Sequence, residues 1–234
     1  MRKYLYTLLL SLSITTSFAQ SNFYKLGIGA GTGGNYTFTD VKKGAFSLSS
    51  YASFDYLFTP FISGSLEAQF GTLKGGDVIT DAHLRQFENG YMAIMVNGKV
   101  RAGQFTDFYY NDFLNYTKGF YVGTGIGLIQ NNMNKIVRVK PDGSNYIFPG
   151  ENKSSNLLVP VNVGIDFYFP DSWGDTRYVL NFNFQGNITF GEGLDGYNDP
   201  QTMFKNSSPD MYTYLSVGFR YSFGPLGLSR KSIR

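Results

Sequence analysis

Three stretches hold residues that could do chemistry. Gly29-Ala30-Gly31-Thr32-Gly33-Gly34 satisfies GxGxxG, a spacing that cradles phosphate when it joins a strand to a helix inside a βαβ unit. Here Tyr36 and Phe38 continue in alternation, so the context is strand to strand and a nucleotide site is not expected; the glycines are read as letting a strand end twist into a loop. His83 is the single histidine, in a segment with Asp77, Asp81, Arg85 and Glu88. A histidine metal site usually recruits a second imidazole or a thiolate, and Cys is 0, so His83 reads as a solvated loop residue. Asp195, Asn198 and Asp199 could offer oxygens to calcium, but they match no loop motif and turn chemistry explains them as well. No nucleophile, base and orienter fall together, so neither catalytic residues, nor a metal, nor a cofactor are expected.

A second set of charges is arranged differently. Lys25, Asp55, Glu67, Lys99, Arg101, Asp166 and Arg220 each stand on the polar side of a segment whose alternate residues are apolar. Leu215, Val217, Phe219, Tyr221 and Phe223 oppose Ser216, Gly218, Arg220 and Ser222; Val159, Val161, Val163, Ile165 and Phe167 oppose Asn162, Gly164 and Asp166. The same alternation spans 23–30, 44–58, 62–70, 91–102, 120–130 and 177–190, which makes about eight strands. The polar side is small, glycine- or amide-rich and sparsely charged, unlike the solvated face of a β-sandwich.

Connections alternate in length. Segments 33–43, 72–90, 131–156 and 191–210 read as long loops; Thr59-Pro60 and 170–176 read as short turns. Segment 104–118 is intermediate, and its Phe105, Phe108, Tyr109, Phe113 and Tyr116 suit either a short interfacial helix or an aromatic-belt loop. Aromatics at strand ends (Tyr56, Phe58, Phe61, Phe120, Tyr121, Phe167, Tyr168, Phe169, Trp173, Tyr178, Tyr221 and Phe223) suit the headgroup level.

Composition agrees. Charged residues make up 16% of the 234, against about 25% in an ordinary soluble domain, while aromatics reach 18%. A net charge of +3 argues for no nucleic-acid partner. Arg2 and Lys3, the apolar run from Tyr4 to Ile14 and Ser17-Phe18-Ala19 read as a signal peptide over 1–19, too short for a spanning helix of about 20 residues. A mature chain embedded in a membrane must then be a closed barrel.

On Ser17-Phe18-Ala19-Gln20, GFYVGTGIGL at 119–128, and Ser216, Gly218, Tyr221 and Phe223, the chain resembles the eight-stranded outer-membrane barrels: the OmpA transmembrane domain, OmpX, and PorT-like barrels of Bacteroidota-type bacteria. The last four residues have the spacing of the terminal signal by which such barrels reach their assembly machinery. The lipid A-modifying barrels PagP and PagL also use a histidine, but neither family's wider pattern surrounds His83.

The reading is an all-β, eight-stranded antiparallel barrel over 20–223 in the outer membrane, with a short periplasmic tail over 224–234 and both mature ends on the periplasmic side. Expected partners are outer-membrane lipids, periplasmic chaperones and the assembly machinery, for a monomer without nucleic acid. The seven inward charges should form an ion-pair network plugging a narrow lumen, because an unpaired buried charge costs several kcal/mol. A non-enzymatic envelope or surface-recognition role comes first; a narrow OmpW-like channel and a PorT-like accessory of secretion are the alternatives.

Overall fold

The computed structural model describes residues 21–41, 43–191, 193–198, 209–231 and 233; the signal-peptide reading over 1–19 and the Asp199 oxygen lie outside them. Eight antiparallel strands close into a barrel in chain order, β1 (Ser21–Phe38) pairing with β2 (Gly44–Thr59) and with β8 (Met211–Leu228). Between them run β3 (Ile62–Gly76), β4 (Gln86–Arg101), β5 (Phe120–Ile136), β6 (Lys153–Pro170) and β7 (Thr176–Phe190).

Alternation in sequence becomes inside and outside in space. On β2, Phe46, Leu48, Phe54, Tyr56 and Phe58 are exposed, while Ser47, Ser49, Asp55 and Leu57 are buried. A wall apolar outside and polar inside is inverted relative to a soluble protein, and a bilayer is the solvent that suits it.

Strands of 15 to 18 residues exceed the roughly 9–11 needed to cross a bilayer, so the ladder continues past the membrane. This corrects the loop boundaries expected from sequence. β1 runs through Gly33 to Phe38, and β3–β4 pairing is unbroken up to Gly76 and Gln86. Gly31 and Gly33 therefore sit within a strand rather than at its end. A Cβ on Gly31 would lie 2.5 Å from the Tyr51 ring, so the glycine makes room for an inward tyrosine.

The GxGxxG stretch lies wholly inside β1 with no helix beside it. β8 continues past Phe223 to Leu228 and pairs there with Ser21 and Phe23. Three rings expected at the bilayer surface turn inward instead: Phe61, Tyr121 and Tyr168, the first two almost fully buried. Inside the 104–118 connection a helix, α1 (Asp112–Thr117), starts at Asn111, whose side chain accepts from Leu114 N–H; Phe105, Tyr110, Phe113 and Tyr116 stay exposed around it.

Candidate functional site

The lumen is filled in three layers, named from the end that carries the 102–108 segment toward the end that carries segments 77–85, 137–152 and 193–198. In the first layer Arg101 and Asp166 meet over the intervening β5, Nε to Oδ2 at 2.7 Å, and Arg101 Nη1 donates to Ser63 Oγ at 3.0 Å. Asn181 donates to the other Asp166 oxygen at 2.7 Å, and Arg220 Nη2 stands 3.7 Å from Oδ2. Lys99 lies 5.3 Å above the Tyr121 ring, and Asp55 accepts from Ser53 at 3.1 Å. The void among Asp55, Lys99, Arg101, Asp166 and Arg220 is about 20 Å³.

The middle layer contains amides instead of cations. Glu67 accepts from Gln69 at 2.8 Å and from Asn97 at 3.3 Å; Gln69 also donates to Gln185, and Tyr212 donates to Gln69 at 3.2 Å. Above it, Tyr91 donates to Ser49 Oγ at 3.0 Å, Tyr214 to the Ser49 carbonyl at 3.2 Å, and Leu73, Ala93, Met95, Ile129 and Leu158 pack between.

Of the seven inward charges named from sequence, Arg101, Asp166 and Arg220 come together as an ion-paired group. Glu67 does not join them; neutral amides satisfy its oxygens. Lys25 stands at a register shift between Tyr24 and Leu26, half-buried and without an ion pair among the described residues. The single seven-charge network is thus corrected to one cluster plus separately held groups, because the strand stagger sets Glu67 at a different height from Arg101. Sequence reasoning missed the lumenal tyrosines 51, 91, 212 and 214; the parity of their strands, carried further toward the loop end, would have found them.

At the loop end the guanidinium of buried Arg85 lies 5.0 Å from the Phe148 ring and 5.1 Å from the Tyr197 ring. Arg138 donates to the Gly196 carbonyl at 2.7 Å, and the Tyr197 hydroxyl reaches the Gln86 and Val137 carbonyls at 3.0 and 2.9 Å. With Val41 these residues tie segments 39–41, 77–85, 137–152 and 193–198 into one cap. Burial, helped by the Asp40 carboxylate, raises the Asp195 carboxyl to about 7, against the pull of the Tyr197 N–H and Arg85. His83 is half-buried in this cap and its backbone N–H donates to Asp81 at 2.9 Å; Asn198 N–H donates to the Pro149 carbonyl at 2.9 Å. Among the described residues no three His, Cys, Asp or Glu side chains cluster in a way that could hold a metal.

At the other end Lys231 and Ile233 pack against the 102–108 segment. Ile233 packs with Phe61 and Phe108, and Lys231 Nζ donates to the carbonyls of Gly103, Gln104 and Thr106 at 3.1, 3.0 and 2.8 Å. Ser216 and Gly218 face inward on β8, while Tyr221 and Phe223 stack outward at 6.2 Å.

The closed eight-strand topology, the apolar wall and the polar filling together decide the class. The chain has the fold of an outer-membrane β-barrel. It is similar to Neisserial surface protein A, with a TM-score of 0.52 at 11% identity over 85% of this chain and 97% of that one. A major outer membrane protein from Thermus thermophilus aligns with a TM-score of 0.44 at 12% identity over 84% and 99%. No protein-family model and no curated protein matches the sequence. The localisation that goes with this barrel fold is the outer membrane, and likeness at such low identity extends to the fold alone.

Proposed function

We propose that this barrel is a closed, non-enzymatic membrane anchor whose working surface is its loop end, serving recognition at the cell envelope. One observation carries the reading: the lumenal void beside Arg101 and Asp166 is about 20 Å³, room for about one water, so the lumen offers no solute path there. The loop end is built differently. Its loops are tied together through Arg85 and Tyr197, and it presents Ile79, Val139 and Ile147 to solvent, the last two paired across an isolated β-bridge. Exposed apolar side chains held on an ordered support suit a macromolecular partner.

In this reading the loops face outward and both mature ends face the periplasm, the orientation in which short turns lie inside. The barrel is a monomer, with Ser216, Gly218, Tyr221 and Phe223 on β8 as its address to the assembly machinery after escort by periplasmic chaperones. An origin in Bacteroidota-type bacteria belongs to the same reading and rests on the leader and on GFYVGTGIGL at 119–128.

The test is conductance of the purified, heat-modifiable protein in a planar bilayer. A folded but silent barrel is expected. Reproducible open steps would replace this reading with the narrow-channel one. Loss of cargo export in a deletion strain, with a silent barrel, would favour the secretion accessory.

A further inference from the structure

The apolar outer wall ends on one side in a polar margin. At the loop-end boundary β1, β2 and β7 present Phe38, Phe46 and Phe190 outward, all well exposed, as a membrane-interface girdle does. On β5 and β6 the outward residues turn polar beyond Leu128 and Leu157, and Leu157 is the residue in register with Phe190. Register aligns Phe70, Met92, Gln130 and Ser155 in one row, and Thr72, Gly90, Asn132 and Lys153 in the next. One row lower, Ala68, Ile94, Leu128 and Leu157 are apolar again. Gly90 leaves a gap in the upper row, and there a groove of about 800 Å³ opens on the outer wall.

The lining of that groove has a definite chemistry. Lys153, Gln130, Asn132 and Ser155 supply an ammonium, two amide N–H₂ groups and a hydroxyl, and no carboxylate lines it. None of these four side chains has a hydrogen-bond or ion-pair partner among the described residues, whereas Lys74 nearby is paired with Glu88 at 3.3 Å and Lys140 with Asp142 at 2.6 Å. Phe70 and Met92 form the apolar lip on the membrane side, each about half exposed. Donors and one positive charge above, an apolar ledge below, and a position at the upper edge of the apolar wall together match an anionic head joined to an acyl chain.

We infer that this groove is a binding site for a phosphate-bearing anionic lipid, the phosphate taken by Lys153 with Gln130 and Asn132, and the first part of an acyl chain lying over Phe70 and Met92. The inference does not depend on what the loop cap recognises. A charge-assisted contact at a partly desolvated boundary is the strongest element, and Lys153 supplies it.

The experiment uses the full barrel in nanodiscs of phosphatidylcholine with a minor fraction of phosphatidylglycerol, and counts the lipids that stay bound on gentle release into a native mass spectrometer. One phosphatidylglycerol retained in preference to phosphatidylcholine is expected, with the preference falling about tenfold in Lys153→Gln. Gln130→Phe, which extends the girdle across the groove on an exposed position, should also remove the bound lipid while leaving the heat-dependent gel shift intact. Lys140→Gln, a charge change away from the groove, should leave retention as it is. Equal retention of both lipids, or unchanged preference in Lys153→Gln, overturns the inference. Saturation of the site by inorganic phosphate with displacement of the lipid would assign the groove to free phosphate and overturn it equally.

Discussion

Arg101 on β4 and Asp166 on β6 close over the intervening β5 at 2.7 Å, each side chain 1% exposed, although neither strand pairs with the other. The ion pair therefore ties two next-but-one strands on the lumenal side of β5 and is not a rung of the ladder. Such a buried pair gives strong penalties when broken and mild ones when replaced whole.

Arg101→Ala leaves Asp166 with Arg220 at 3.7 Å as its one remaining ionic contact. A loss of about 3–5 kcal/mol in unfolding free energy is expected, read as a lower urea midpoint in detergent or lipid vesicles. An Arg101→Met, Asp166→Leu, Arg220→Met triple variant, which replaces the whole ion-paired group, should recover most of it. Failure of that recovery would mean the charges have a use beyond bracing the wall.

Glu67→Gln should behave differently. Asn97 Oδ1 is buried without a partner, so rotating the Asn97 amide lets it accept from the new glutamine while Gln69 still donates to the other atom. A change within about 1 kcal/mol is expected by the same unfolding measurement. A collapse comparable with that of Arg101→Ala would show that the carboxylate charge itself is required.

Gly218→Ala would set a methyl well inside contact distance of the Tyr51 hydroxyl oxygen, because that side chain lies over the paired glycines Gly31 and Gly218. Overpacking of about 1–3 kcal/mol follows. Adding Tyr51→Phe removes the clashing oxygen and should restore part of the stability. Additive losses in the double variant would place the strain elsewhere.

Asp195 makes the loop cap respond to pH. Its folded-state pKa, about 7, lies above the ordinary carboxylate value, so the protonated form favours the closed cap. The contribution is complete below the ordinary value near 3.8 and is lost as pH rises through about 7. Hydrogen exchange in the 193–198 segment, corrected for intrinsic rates, should be faster at pH 8.5 than at pH 5. Asp195→Asn should flatten that difference; a slope unchanged by this variant would assign the effect to another group.

Alternation of Val159 to Phe167 and Leu215 to Phe223 was enough to declare the barrel, because lipid and lumen impose opposite demands on neighbouring residues of one strand. It also placed Asp55, Glu67, Arg101, Asp166 and Arg220 inside, where all five are buried. Whether inward charges meet depends on strand stagger, and stagger is set by pairing between segments far apart in the chain. Tertiary structure alone thus brought Arg101 to Asp166, left Glu67 to amides, and set Lys99 over the Tyr121 ring. The folding of Ile233 and Lys231 onto the 102–108 segment, and the meeting of Arg85 with Phe148 and Tyr197, were likewise beyond local reading. The sequence by itself determined which side of the wall each strand residue occupies, since period two is a property of the strand. Only closure of the sheet decided which residues face one another across the lumen, since that distance is fixed by shear and not by spacing along the chain.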